Sequence, residues 1–271
     1  MIFFVLLMMA ACLLAYIVYL AFFWQWQKNC QPFYNEEKLI FGHRGSPTLI
    51  TENTLPSFYK AIDQGVDGLE LDVRLSKDGE LMVFHDKGLS RLSTHHEKIK
   101  ECTLEALKAV QLNRQNGQTE AANIISLNDI VDTIDKTKVL NIEIKSESIF
   151  ADNNILKPLI KFLNDNQIDD KCIISSFNPF LLMKLRMQRP QTIIGFLYNR
   201  KRLLHGWDNM VWMLRVQPEN LHIHYSLLDH WIVKWARRKG MRVNSYTFND
   251  KDVFEKADID GAFTDNIEYI K

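Results

Sequence analysis
The chain lacks any bias of charge: 33 lysines and arginines stand against 33 aspartates and glutamates, and no basic stripe interleaved with aromatics runs through it. Nucleic acid, which is held chiefly through such stripes, is not an expected partner. Cysteine is scarce as well. Cys12, Cys30, Cys102 and Cys172 are scattered, with no CxxC pair and no metal-finger spacing. They suit isolated thiols in a reducing compartment better than a disulfide scaffold. The chain also has no HExxH pattern, so neither structural nor helix-borne zinc is indicated. No internal repeat or low-complexity tract interrupts it.

What is present first is apolar. Residues 1–27 carry no charged side chain, and 2–23 are almost wholly hydrophobic. At ~1.5 Å per residue, such a helix would cover the ~30 Å of a bilayer core. Tyr16, Tyr19, Trp24 and Trp26 gather toward its end, where amphipathic rings favour the headgroup level. A cleaved signal peptide fits less well, since there is no basic lead and no A-x-A-like site. The sequence therefore predicts a single-pass transmembrane anchor over 1–27 and a membrane partner. Lys28, Lys38 and Arg44 follow the segment, which places the remainder on the cytoplasmic side.

Beyond a polar linker over 28–38, strand-like and helix-like segments alternate, as in a parallel sheet with crossover helices. Expected strands are 39–41, 67–75, 81–85, 138–145, 172–177, 192–198, 220–225, 242–248 and 261–264. Helices are expected after Thr54, a candidate N-cap, and over 126–134, 179–187 and 227–239. Lys77-Asp78-Gly79 reads as a tight turn into a hairpin-like extension. Residues 87–125 are polar and weakly periodic, an insertion over the barrel mouth after the second strand unit. At 271 residues and 46% apolar composition, one large core is affordable. The economical fold is an α/β (β/α)8 TIM barrel over 39–271, a fold of about 250 residues.

Chemistry concentrates at the predicted strand ends. His43-Arg44-Gly45 and His85-Asp86 bracket Glu70-Leu71-Asp72, with Glu52-Asn53-Thr54 in the loop between. Leu69, Leu71 and Val73 alternate with the two carboxylates, which puts both on the inner face. Glu143 and Lys145 share a face in the same way. Hard oxygen donors from Glu70, Asp72 and Glu143 suit one divalent cation, Mg²⁺ or Ca²⁺. Arg44 suits phosphate as a fork and Lys145 as a point charge. His43 and His85 are the natural proton carriers near neutrality. Glu52, Asn53 and Asp86 are read as supporting residues. His222 and His224 are read as barrel or rim histidines, and His95-His96 as a solvated loop.

These pieces, with Asn141-Ile142-Glu143-Ile144-Lys145, Ser175-Ser176-Phe177, Tyr246-Thr247-Phe248-Asn249 and Gly261-Ala262-Phe263-Thr264-Asp265, resemble the glycerophosphodiester phosphodiesterase family. The likeness covers roughly 39–271. It implies a phosphodiesterase barrel that hydrolyses glycerophosphodiesters to glycerol 3-phosphate and an alcohol, with the two histidines as acid and base. Tyr246 stands where the family commonly has tryptophan, and is a candidate substrate contact with Arg44 and Lys145. A lysophospholipase D activity on lysophospholipids at the membrane, and a non-catalytic membrane-tethered binding barrel, are the alternatives. No protein partner is implied.

Overall fold
The structure is a computed structural model that describes residues 2–24, 26, 33–34, 37–114, 121–134, 137, 139–146, 153–198 and 207–271. Among the described residues ten strands follow in chain order: β1 (Leu39–His43), β2 (Gly68–Leu75), β3 (Leu81–Val83), β4 (Ile125–Ser126), β5 (Val139–Ile144), β6 (Cys172–Ser176), β7 (Ile193–Leu197), β8 (Asn220–His224), β9 (Arg242–Tyr246) and β10 (Gly261–Thr264). Eight of them close a parallel barrel in the order β1, β2, β5, β6, β7, β8, β9, β10, with β10 returning to β1. β2 is longer than β1 and outruns it. Its free stretch, Val73 to Leu75, pairs antiparallel with β3, and β3 in turn pairs with β4.

Period-two alternation sorts the barrel side chains. Leu69, Leu71 and Val73 point outward into the main apolar core shared with the helices, while Glu70 and Asp72 point inward. The barrel floor is a second apolar layer of Phe41, Val139, Ile173, Ile193 and Phe263. Phe33 and Tyr34, from the expected linker, seal it from below. The Tyr34 hydroxyl lies 2.9 Å from Asn220 Oδ1 and 2.8 Å from Asn244 Oδ1. The rest of that linker, apart from Glu37 and Lys38, lies outside the described residues.

Local signals are visible at the helix ends. Thr54 caps the helix Leu55–Asp63 by accepting from the Ser57 N–H, with Pro56 in the first turn. Asn178 caps Pro179–Gln188 likewise. The helix expected over 126–134 is instead the 3-10 turn Leu127–Ile130 under a Ser126/Asp129 capping box, followed by the short helix Val131–Ile134. That expected over 227–239 forms only from Trp231 to Arg238, because His230 caps it and a 3-10 turn, Tyr225–Leu227, takes up the residues after β8.

The insertion is less polar inside than its composition suggests. Leu89, Leu92, Ile99, Leu107, Val110, Leu112 and Ile124 pack with Met82 and Phe84 into a small core of their own. Its residues 115–120 lie outside the described set.

The N-terminal expectation is overturned. Among the described residues no helix is long and apolar enough to cross a membrane. The regular α-helix ends at Val18 after 17 residues, about 25 Å of rise, short of the ~30 Å a span needs. Tyr19–Phe23 loosens into a π-helical turn, and Trp24 is extended. The end of the segment then docks on the barrel. Leu20 is buried, and Lys239 Nζ donates to the carbonyls of Leu20 and Trp24 at 3.0 and 2.7 Å. Trp26 Nε1 donates to the Pro218 carbonyl at 2.7 Å. The apolar count ran through the break at Tyr19, and the tryptophans meet protein rather than headgroups. The transmembrane helix over 1–27, the membrane as partner and the single-pass location with a cytoplasmic catalytic part all fall with that finding.

Candidate active site
Register brings the acidic side chains together. Glu70 on β2 sits between His43 on β1 and Asn141 on β5, and Asp72 lies beside Glu143. Glu70, Asp72 and Glu143 are all buried, and each offers an oxygen within 4.8 Å of the others.

Two loops hold the cluster from behind. Arg44 and Asn53 both have φ of 58°, in the left-handed region where asparagine is tolerated and arginine is strained. Gly45 follows with φ of 89°, and a Cβ there would run into Ser57, so no side chain fits. That turn aims the Arg44 N–H at Glu70, 2.9 Å from Oε2. Asn53 clasps Asp72 in both directions: its Nδ2 donates to Oδ2 at 2.9 Å, and its Oδ1 accepts from the Asp72 N–H at 3.2 Å. The Arg44 side chain lies 3.2 Å from Asp72 and 3.0 Å from Glu52. Lys145 Nζ bridges Asp72 at 2.8 Å and Glu143 at 2.5 Å.

The charges do not balance evenly. Burial would raise the Asp72 carboxyl, but Lys145 and Arg44 outweigh it and hold it well below the usual range. At Glu70 the attraction of His43 and Arg44 is outweighed. Burial and the neighbouring Asp72 push it up to about 8. A divalent cation among the three carboxylates relieves that excess of negative charge, and an all-oxygen donor set fits Mg²⁺ or Ca²⁺.

Each histidine is tethered through Nδ1. His43 Nδ1 is 2.6 Å from Asp265 Oδ1, and its Nε2 looks back toward Glu70 at 3.8 Å. His85 Nδ1 is 2.7 Å from Asp86 Oδ1, and its carbonyl accepts from Arg74. Their surroundings differ. Burial would lower the His43 pKa, but Glu70 and the Asp265 hydrogen bond raise it overall. At His85 burial prevails, aided by Lys145 and Arg44, and the pKa falls.

A cavity of about 330 Å³ opens here. His43, Arg44, Glu70, His85, Glu143 and Lys145 are its charged lining, and Phe177, Leu197, Tyr246 and Phe263 are among its apolar and aromatic lining. Asp72, Glu52, Asn53 and Asp86 stand behind the charged lining. His222 is fully buried among the cavity's deeper residues, where burial depresses its pKa to about 3, and His224 lies at the rim against Tyr246. His95 and His96 are exposed in the insertion.

Two residues at the site were not singled out from the sequence. Asp265 ends the last strand motif, and its position next to Thr264 was its only signal. Arg91, in the insertion, contacts Asp86 through Nε and Glu52 through Nη1 and Nη2 at 3.0 and 2.7 Å. No motif marks it.

A parallel barrel with carboxylates, histidines and cations converging on the C-terminal ends of its strands is the arrangement of a barrel hydrolase acting on an anionic ester. The glycerophosphoryl diester phosphodiesterase family model matches residues 43–269, and the chain belongs to that family. It is 34% identical over 235 residues to a glycerophosphodiester phosphodiesterase of Caldanaerobacter subterraneus, covering 85% of this chain and 95% of that protein. Among solved structures, the glycerophosphodiester phosphodiesterase of Thermotoga maritima superposes with a TM-score of 0.70 at 30% identity, covering 87% of this chain and 97% of the other. A phosphodiesterase of Oleispira antarctica, in complex with the product sn-glycerol-3-phosphate, gives 0.74 at 27% identity, covering 88% and 96%.

Proposed function
We propose that the protein hydrolyses glycerophosphodiesters to glycerol 3-phosphate and an alcohol, assisted by one divalent cation. The observation that carries this reading is one cavity lined by two Nδ1-tethered histidines, Arg44, Lys145, Glu70 and Glu143, with Asp72 completing the buried carboxylate trio just behind. Family membership and the product held by the Oleispira relative support the same substrate class.

In this reading Glu70, Asp72 and Glu143 hold the cation. When bound, it polarises the phosphoryl oxygen and offsets charge that builds in the transition state. The Arg44 guanidinium and the Lys145 ammonium bind phosphate oxygens. One imidazole takes the proton of the attacking hydroxyl while the other delivers a proton to the departing alcohol, both through the Nε2 that their tethers leave available. Glu52 and Asn53 keep Arg44 and Asp72 in place, and Asp86 orients His85. Tyr246, with Phe177 and Leu197, lines the side of the cavity on which the non-phosphate part of the substrate rests.

The test is a panel of glycerophosphocholine, glycerophosphoethanolamine and glycerophosphoinositol followed by phosphorus NMR with Mg²⁺ or Ca²⁺ present. Glycerol 3-phosphate should accumulate from at least one. A cyclic phosphate as the final product, or no turnover of any of them, would overturn the reading.

A further inference from the structure
Arg91 stands on the insertion, outside every strand of the barrel, yet its guanidinium spans two carboxylates of the site. Nε meets Asp86, whose other oxygen holds His85 Nδ1 at 2.7 Å. Nη1 and Nη2 meet the two oxygens of Glu52 at 3.0 and 2.7 Å, and Glu52 holds Arg44 Nη1 at 3.0 Å. One side chain therefore joins the support of a proton carrier to the support of a phosphate-binding cation. Arg91 is not among the residues lining the cavity, so its effect passes through its partners.

The insertion is built to present it. Leu89 and Leu92, on either side of Arg91, are buried in the insertion's own core. The turn is closed by Leu92 N–H and Ser93 N–H donating to the Leu89 carbonyl at 3.2 and 3.0 Å. A second tie runs beside it: Thr51, next to Glu52, donates through its hydroxyl to the Asn113 carbonyl at 2.7 Å, and the Asn113 N–H donates to the Leu92 carbonyl at 2.7 Å. The Arg91 side chain remains 45% exposed. An isolated surface ion pair adds little, but a fork engaged at three nitrogens fixes direction as well as charge.

We infer that Arg91 is a positioning residue, through which the insertion locks His85 and Arg44 into one mutual geometry for the reaction proposed above, on which this inference rests. Among the described residues, loss of Arg91 leaves Asp86 with His85 alone, free to rotate away from it, and leaves Glu52 with Arg44 alone.

The experiment compares the parent, Arg91→Ala, Arg91→Lys, Asp86→Ala and the Asp86→Ala/Arg91→Ala double variant on one glycerophosphodiester. Arg91→Ala should lower kcat about tenfold with an unchanged Tm. Arg91→Lys, with one ammonium in place of a fork, should recover only part of the loss. The double variant should lose much less than the product of the single losses, since both act on His85. A parent-like kcat in Arg91→Ala, or multiplicative losses, would overturn the inference. Nitrogen-15 NMR of the His85 ring gives a readout that needs no turnover: its resonances should move in Arg91→Ala, or in Arg91→Lys if the alanine variant does not fold. Unmoved resonances would overturn the inference even if the parent hydrolysed nothing, whereas an inactive parent speaks against the substrate reading alone.

Discussion
Asp265 Oδ1 lies 2.6 Å from Nδ1 of His43, the same tether that Asp86 makes to His85 at 2.7 Å. A carboxylate on Nδ1 fixes that nitrogen as the donor and leaves Nε2 to exchange protons with substrate. Asp265→Ala should lower turnover roughly tenfold or more, with an unchanged fold by circular dichroism. Parent-like rates would show that His43 needs no orienting partner.

The histidines themselves bear the larger burden. His43→Ala and His85→Ala should each reduce kcat by about 10²-fold or more in a steady-state assay. A near-normal rate in either would remove that residue from proton transfer.

Glu70 links cation binding to pH. Its carboxyl, at 4.5 when unperturbed, is pushed up to about 8 by burial and by Asp72. A cation must displace that proton, so Mg²⁺ or Ca²⁺ should bind more tightly at pH 8.5 than at pH 6. Calorimetry in buffers of different ionisation enthalpy should reveal the released proton. The cation-free fold should follow the matching trend. Between about 4.5 and about 8 the native state keeps a proton that the unfolded chain has lost, so stability falls as pH rises across that window. Thermal unfolding should show the fall, and added cation should reverse it. A pH-independent affinity would contradict the assignment of Glu70.

Gly195 tests the barrel interior. A Cβ there would come within 2.5 Å of the His222 ring. Gly195→Ala should destabilise by about 1–3 kcal/mol, the usual range for overpacking a filled core, visible as a lower Tm. An unchanged Tm would show that the ring has room to move.

Much of this architecture was legible in the chain because barrel strands carry a short-range signal. Alternation around Leu69, Leu71 and Val73 fixes the facing of Glu70 and Asp72 without knowledge of neighbours, and Thr54 marks a helix start by local hydrogen bonding. What escaped depends on contacts far apart in sequence. Asp265 reaches His43 across 222 positions, and Arg91 reaches Glu52 across 39. The motif that ends in Asp265 does not reveal which side chain it reaches, and the stretch around Arg91 does not reveal its partners either. The insertion hides its core because its leucines and isoleucines are spaced by a winding path rather than a helix or strand period. The N-terminal segment misled for a different reason: apolar content says nothing about where a helix loosens, and here it does so at Tyr19, with Leu20 already against the barrel.

The most direct test is hydrolysis of glycerophosphocholine after exhaustive EDTA treatment and then after Mg²⁺ or Ca²⁺ is restored, with glycerol 3-phosphate as the measured product. The account predicts no product in EDTA and recovery when the cation returns, with no recovery in Asp72→Asn. Turnover that ignores the chelator, or that survives in Asp72→Asn, would contradict it.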